Sequence, residues 1–124
     1  MFLNFMHIGV AIHIENQNII DFFEDRYVNQ VAVHEFVPYI EIVELRDSNL
    51  YSKALSSLDN ANSVSFMGTD IAYNDNRIIF FSNDTSINTI QQVSLFLCFI
   101  MQTVLSNYNV YILHGACIVE NNQG

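Results

Sequence analysis

The sequence predicts an α+β fold in which a mainly antiparallel sheet of about five or six strands packs on one long apolar helix. Three observations support this prediction. Apolar residues alternate along the start of the chain, turn-forming residues separate further alternating segments, and one stretch without Gly or Pro carries apolar residues three and four apart. With 124 residues, 51% hydrophobic and 13% aromatic, the chain suits one folded domain.

Residues 2–14 are predicted to form the first strand. Asn4 is the only break in a series of apolar residues that share one side of an extended chain, namely Phe2, Met6, Ile8, Val10, Ile12 and Ile14. A period of two with β-branched residues is typical of a strand with one buried face. Residues 15–18, Glu-Asn-Gln-Asn, predict the turn that closes this strand.

The pattern is weaker in the next part of the chain. Residues 19–24 fit either a short helix or a loop anchored by aromatic side chains. Residues 31–36 suggest a second strand that ends near Pro38, and the alternation after this proline predicts a third strand over residues 40–45.

A surface connection and a hairpin are predicted to follow. Residues 46–63 are rich in Ser, Asn and Asp, with one helical turn expected near residues 52–58. Residues 64–73 and 77–82 then flank Asn74-Asp75-Asn76. These residue types tolerate left-handed turn conformations, which predicts an antiparallel hairpin.

The long helix is predicted over residues 87–107. The four residues before it, Asn83 to Ser86, are all good N-cap types, and the stretch that follows, up to Tyr108, contains neither Gly nor Pro. Apolar residues recur at helical spacing: Ile87, Ile90, Val93, Leu97, Ile100, Met101, Val104 and Leu105. Because Leu95, Phe96 and Phe99 add apolar surface on the other side, either this domain covers both sides or one side faces something else.

The net charge of the chain disfavours some classes of binding partner. Lys and Arg number 4 against 13 Asp and Glu, a formal net charge of -9. A field of that sign repels phosphate backbones and anionic lipid, so we expect neither nucleic acid nor a membrane as partner. Cys98 and Cys117 lie in apolar segments without a secretory signal pattern, which favours two buried thiols in a reducing cytoplasm over a disulfide.

A phosphate loop is not expected in this chain. Such a loop needs closely spaced glycines followed by Lys and Ser or Thr. The glycines stand far apart, at Gly9, Gly68, Gly115 and Gly124, and the single lysine is Lys53. We therefore expect no ATP binding by this chain alone.

A metal site and a cysteine nucleophile are also not expected. His7 and His13 would lie roughly 20 Å apart on an extended strand, too far to share a metal ion. His34 has no partner at ligand spacing, and both cysteines read as core thiols. The acidic groups, Asp21, Glu24, Asp25, Glu41 and Glu44, are interpreted as solvated faces.

The end of the sequence carries the motif of greatest interest. An apolar run at residues 110–113 leads into His114-Gly115, a second apolar run at 116–119 and a polar turn at 120–124. Together with the hairpin and the long helix before it, this order resembles the HPr kinase-related proteins, which are bacterial serine kinases. In them, a Leu-His-Gly strand, a polar turn and a second strand precede a Gly-rich phosphate loop.

The resemblance implies that residues 1–108 are the N-terminal α+β domain of an HPr kinase-like serine kinase. Residues 109–124 would be the first strand and turn of its P-loop kinase domain, truncated before the phosphate loop. The implied role is to support the kinase domain and help to choose a peptide or carrier-protein substrate. His114 would lie near the active site of the intact kinase. ATP and Mg²⁺ would bind there, and this chain alone is expected to hold no cofactor or metal and to be inactive.

A stand-alone binding module is the alternative, recognising a peptide or a carrier protein through an exposed sheet edge. Such a module should cover its long helix and pair its final strand, whereas part of a larger kinase should leave apolar surface and an open edge there. Whether the chain forms a homo-oligomer is left open. A small cysteine- or metal-dependent enzyme is disfavoured, since the spacing supplies no site.

Overall fold

A computed structural model of the protein describes residues 1–113 and 116–119. The described chain contains three α-helices: α1 Gln17–Arg26, α2 Ser48–Ser56 and α3 Ile87–Ser106. It also contains eight strands: β1 Phe2–Phe5, β2 Ile8–His13, β3 Ile40–Glu44, β4 Asn62–Phe66, β5 Thr69–Tyr73, β6 Arg77–Ser82, β7 Val110–Leu113 and β8 Ala116–Val119.

Six of the strands form one mixed sheet in the order β1-β2-β3-β6-β5-β4, while β7 and β8 form a separate two-stranded sheet. The α+β prediction, with its sheet packed on one long helix, is confirmed. Three pairings of the main sheet are antiparallel, and β2–β3 and β3–β6 are parallel. Parallel neighbours need long connections, and the segments before β3 and before β6 provide them.

The predicted first strand is in fact a hairpin. β1 and β2 pair in the register Phe5↔Ile8, and Met6 in the turn between them has a φ of 64°. This two-residue turn reverses the alternation, so Leu3 and Phe5 of β1 are fully buried while Met6 is 53% exposed. The prediction that residues 2–14 form one strand was wrong because alternation alone does not reveal a turn.

A helix begins where the turn at residues 15–18 was predicted. Asn16 is the N-cap of α1, and its side chain accepts hydrogen bonds from the backbone N–H groups of Asn18 and Ile19. Ile19 and Phe23 are buried on the inner side of α1. Of the two alternatives for residues 19–24, the structure has the helix.

No second strand forms over residues 31–36. Val31 makes a single antiparallel bridge to Leu3 at the outer edge of β1. The chain then passes to the face of the sheet opposite α1, where the Phe36 ring lies against Gly9 and Phe2. Val33 and Val37 are 91% and 93% exposed. The β-branched residues that suggested a strand therefore belong to a loop, residues 31–39, which is called the wrapping loop below.

Local hydrogen bonds set the elements in the middle of the chain. Asp47 is the N-cap of α2, accepting a 2.8 Å hydrogen bond from the Leu50 N–H, so this helix starts before the predicted turn at 52–58. The predicted strand 64–73 divides into β4 and β5, because Met67 and Gly68 adopt φ values of 50° and 77° between them. The hairpin between β5 and β6 around Asn74 is as predicted.

Helices cover both faces of the sheet. α1 and α3 pack together over the main core, which includes Phe5, Ile42 and Phe80 from the strands. α2 covers the opposite face above Ala72 and Ile79, contributing the buried Tyr51.

α3 has nearly the predicted bounds and is almost covered by its own domain. Its buried residues are Thr89, Ile90, Val93, Ser94, Leu97, Cys98, Ile100, Met101, Val104 and Leu105. Phe96 stacks on Phe66 at 4.5 Å, and Phe99 remains 51% exposed. By length and hydropathy alone α3 could cross a membrane, a test that core helices of soluble proteins also pass.

Candidate functional site

The junction between α3 and β7 is the first candidate site, because the His-Gly motif follows it. Asn107, Tyr108 and Asn109 end the helix, each donating its backbone N–H to a carbonyl three residues earlier. Asn109 then turns the chain with a φ of 61°, in the left-handed region that Asn tolerates better than most residues. β7 starts at the next residue, Val110, which is buried in the main core.

The junction is tied to the turn between β5 and β6. The Tyr108 hydroxyl donates a 3.0 Å hydrogen bond to the backbone oxygen of Asp75, and the Asn107 side chain donates one of 3.0 Å to the Asp75 carboxylate. The Tyr108 ring also stacks on Tyr39 at 5.9 Å. Contacts with the β5–β6 turn and with Tyr39 therefore fix the junction from which β7 starts.

β7 and β8 pair antiparallel in the register Val110↔Val119 to Leu113↔Ala116. His114 and Gly115 stand between them in the sequence and lie outside the described residues. The interpretation of His114 as a residue near an active site therefore stays a prediction. The polar segment 120–124 and the side chain of Cys117 also lie outside the described part.

Cys98 lies in the core between α3 and α1, as the sequence indicated. Burial raises the pKa of its thiol to about 12, which outweighs the lowering effects of a hydrogen bond to Tyr27 and the charge of Arg26. Burial likewise raises the pKa of Tyr27, whose hydroxyl oxygen accepts a 2.9 Å hydrogen bond from the Gln102 side chain. A thiol that stays protonated at neutral pH is a poor nucleophile, so this cluster serves packing.

The histidines within residues 1–113 are dispersed. His13 Nε2 lies 3.1 Å from the Glu41 carboxylate, and the two side chains are about half exposed. His7 lies in the β1–β2 turn and His34 in the wrapping loop, both exposed. Within residues 1–113, the structure brings together no group of three or more His, Cys, Asp or Glu side chains that could hold a metal ion.

The acidic residues divide into two kinds. Asp21, Glu24 and Asp25 form a solvated face on α1, as predicted. Glu44 instead has a structural role that sequence reasoning missed, because its carboxylate accepts hydrogen bonds of 2.8 and 3.1 Å from the Glu15 and Asn16 N–H groups. Glu44 thereby holds the start of α1 to the end of β3. No local sequence pattern predicts this contact.

The wrapping loop borders a second candidate site, an apolar groove of about 460 Å³. Its lining includes Met6, His7, Phe36, Val37 and Tyr39. Exposed apolar side chains of this kind often mark contact surfaces. The described lining of the groove contains no Asp, Glu, Lys or Arg side chain that would indicate the chemistry of an occupant.

The third candidate site is the groove between α2 and β4, which sequence reasoning missed. It has a volume of about 280 Å³ and is lined by Tyr51, Leu55, Ser63, Val64, Ser65 and Asp70. Its acidic group, Asp70, stands opposite Ser65 in the β4–β5 register and accepts a 2.8 Å hydrogen bond from the Ser65 hydroxyl. The alternating Asn-Ser-Val-Ser-Phe of β4 was a signal for a strand, but not for its edge position.

Comparisons with known proteins give no relative for this chain. No family model, no curated protein and no solved structure matches it.

Proposed function

We propose that residues 1–108 are a non-catalytic supporting domain of an HPr kinase-like, ATP-dependent serine kinase. The supporting observation is that β7 and β8, which follow α3 directly, pair with each other outside the six-stranded sheet. An isolated two-stranded sheet is marginally stable at best in water, and further strands stabilise it. β7 and β8 thus suit the beginning of a second sheet that α3 holds against the first domain.

The proposal also draws on the order of the segments. A long apolar helix, a strand, His114-Gly115 and a second strand follow one another as they do before the phosphate loop of the resembled kinases. ATP and Mg²⁺ would bind in the kinase domain, with His114 near its active site. The supporting domain would help to choose a peptide or carrier-protein substrate in the cytoplasm.

The gene provides the first test of this proposal. We expect a Gly-rich loop with Lys followed by Ser or Thr within about twenty codons after the codon for Gly124, in frame or after a frameshift. A stop codon with no such sequence nearby would contradict the kinase proposal.

Enzymology provides the second test. Protein made from the complete reading frame should hydrolyse ATP with Mg²⁺, and the His114→Ala variant should lower kcat. The matched control is His34→Ala, a change of an exposed histidine in the wrapping loop, which should leave kcat unchanged. ATP hydrolysis by the purified 124-residue chain would show that the activity does not need a further domain, and the proposal would be wrong.

A stand-alone module that binds a peptide or carrier protein is the second candidate function. The observation that favours it is the covering of α3, whose apolar residues are buried by its own domain except at a few positions such as Phe99. A self-contained module is expected to cover its helix in this way. The same reading of the gene separates the two functions.

A further inference from the structure

We propose that β4 and α2 form a docking site for an extended peptide that carries a Lys or Arg side chain. The peptide would add to the sheet beside β4, and its side chains on the α2 side would enter the groove described above. This mode of recognition combines main-chain hydrogen bonds along a sheet edge with pockets for alternate side chains.

The backbone of β4 is open to a further strand. β4 is the last strand of the sheet and, within residues 1–113 and 116–119, it pairs only with β5. Its sequence, Asn-Ser-Val-Ser-Phe, contains neither Lys nor Pro, the residues that commonly protect an edge strand from pairing. The opposite edge of the sheet, β1, is partly occupied. Val31 forms a bridge to Leu3, and the Ala32 N–H donates a 2.9 Å hydrogen bond to the Phe2 carbonyl.

The size of the groove suits peptide side chains. Its volume is about 280 Å³. Tyr51 and Leu55 of α2 form an apolar wall facing Ser63 and Ser65 of β4. Alternate residues of an added strand lie about 7 Å apart on one face, so one side chain can contact the wall while the next reaches Asp70.

The charge of the groove selects a basic residue. Asp70 is partly buried, and the Ser65 hydroxyl holds its carboxylate at 2.8 Å. The same carboxylate contributes, after burial, to the raised pKa of Tyr51. A carboxylate held by one neutral donor still favours a cation, and the net charge of -9 attracts basic peptides to the protein.

A second copy of the chain is a poorer occupant of the same edge. Two copies would each bring a net charge of -9 to the contact, and like charges oppose association. A self-paired β4 would also bring no basic group to Asp70, because this strand has no Lys or Arg. The docking site lies on the sheet face opposite α3, so its test does not depend on the kinase proposal.

Fluorescence anisotropy with the 124-residue protein tests the proposal. The probe is a labelled nine-residue peptide in which Val and Lys alternate, compared with the same peptide carrying Glu in place of Lys. We expect the Lys peptide to bind at least tenfold more tightly at low salt and to lose affinity as salt is added. Amide hydrogen exchange should become slower in β4 when the Lys peptide is bound.

Two variants of the groove localise the binding. Asp70→Asn should weaken binding of the Lys peptide by about fivefold, the upper range for a solvent-accessible ion pair. Ser65→Lys places an ammonium group at an exposed position opposite Asp70. It should weaken binding of the Lys peptide more than Asp70→Asn does, because the new lysine pairs with the Asp70 carboxylate. The matched control is Glu24→Gln, which removes one negative charge from the exposed face of α1 and should leave the affinity unchanged.

Four results would overturn the proposal. The first two are equal affinity for the Lys and Glu peptides, and no binding of either peptide. The third is an equal loss of affinity for the Lys peptide in Glu24→Gln and Asp70→Asn. The fourth is that the protein dimerises without peptide and that this dimerisation slows hydrogen exchange of the β4 amides. Circular dichroism should show that each variant keeps the fold, and the Ser65→Lys variant provides the answer if Asp70→Asn does not fold.

Discussion

The ring of Phe36 lies directly against Gly9, on the sheet face opposite the main core. A Cβ atom at residue 9 would overlap this ring, so the loop can cross β2 closely only because residue 9 is glycine. We expect Gly9→Ala to lower the free energy of unfolding by about 1–3 kcal/mol, as overpacking usually does. Urea unfolding measures this difference.

Removing the Phe36 ring should remove most of the destabilisation that the alanine methyl group at residue 9 causes. In a double-mutant cycle, Gly9→Ala should destabilise the Phe36→Ala variant much less than it destabilises the natural sequence. If the two substitutions are additive, the contact does not restrict residue 9.

The Cys98 thiol should be unreactive in the folded protein. Because burial raises its pKa from 9.0 to about 12, roughly a thousandfold less thiolate is present at neutral pH than for an unburied thiol. In the Cys117→Ser variant, a thiol-specific disulfide reagent should modify Cys98 rapidly in guanidinium chloride and very slowly under native conditions. Comparable rates in both conditions would contradict a buried thiol.

The buried Cys98 thiol should make the protein less stable at high pH. The folded-state pKa of Cys98 is raised, so its contribution to stability is complete below about pH 9 and is lost as the pH rises towards 12. The raised pKa of Tyr27 acts in the same direction. Cys98→Ala should reduce the fall of the unfolding free energy between pH 8 and 11, measured with urea. An unchanged slope would mean that Cys98 does not contribute.

The effect of a substitution at Asn109 on stability should depend on whether the new residue tolerates a positive φ, because the φ of 61° at this position favours Gly and Asn. Asn109→Ala should cost about 1–2 kcal/mol of unfolding free energy through backbone strain. Asn109→Gly removes the same side chain without this strain and should cost less. The two melting temperatures, measured by circular dichroism, separate strain from lost side-chain contacts. Equal losses would indicate that the side-chain contacts dominate.

Sequence patterns predicted the elements whose signals are local. α3 was predictable because N-cap residues precede a long stretch with helical spacing, and the β5–β6 hairpin because Asn74 and its neighbours favour a turn. The turn at Met6 was not predictable, since neither Met6 nor His7 is a usual turn residue. Strand alternation therefore continued through the hairpin, with Asn4 as its only break.

The candidate sites were less predictable than the fold. The His114 motif came from the sequence and its resemblance, whereas the groove beside Asp70 depends on α2 and β4, whose contacts come from different parts of the chain. Nothing in the order of residues indicates that β4 lies at an edge. Strand order is a property of the whole sheet.

By itself, the sequence determined the α+β class, the long helix, the central hairpin and the acidic charge, because each depends on neighbouring residues or on composition. Only the tertiary structure decided that β3 runs parallel to both its neighbours, that a loop crosses Gly9, and that Glu44 holds the start of α1. These features arise when distant segments bury apolar surface together and satisfy backbone groups across the fold. Free energy gained between residues far apart in sequence leaves no local pattern.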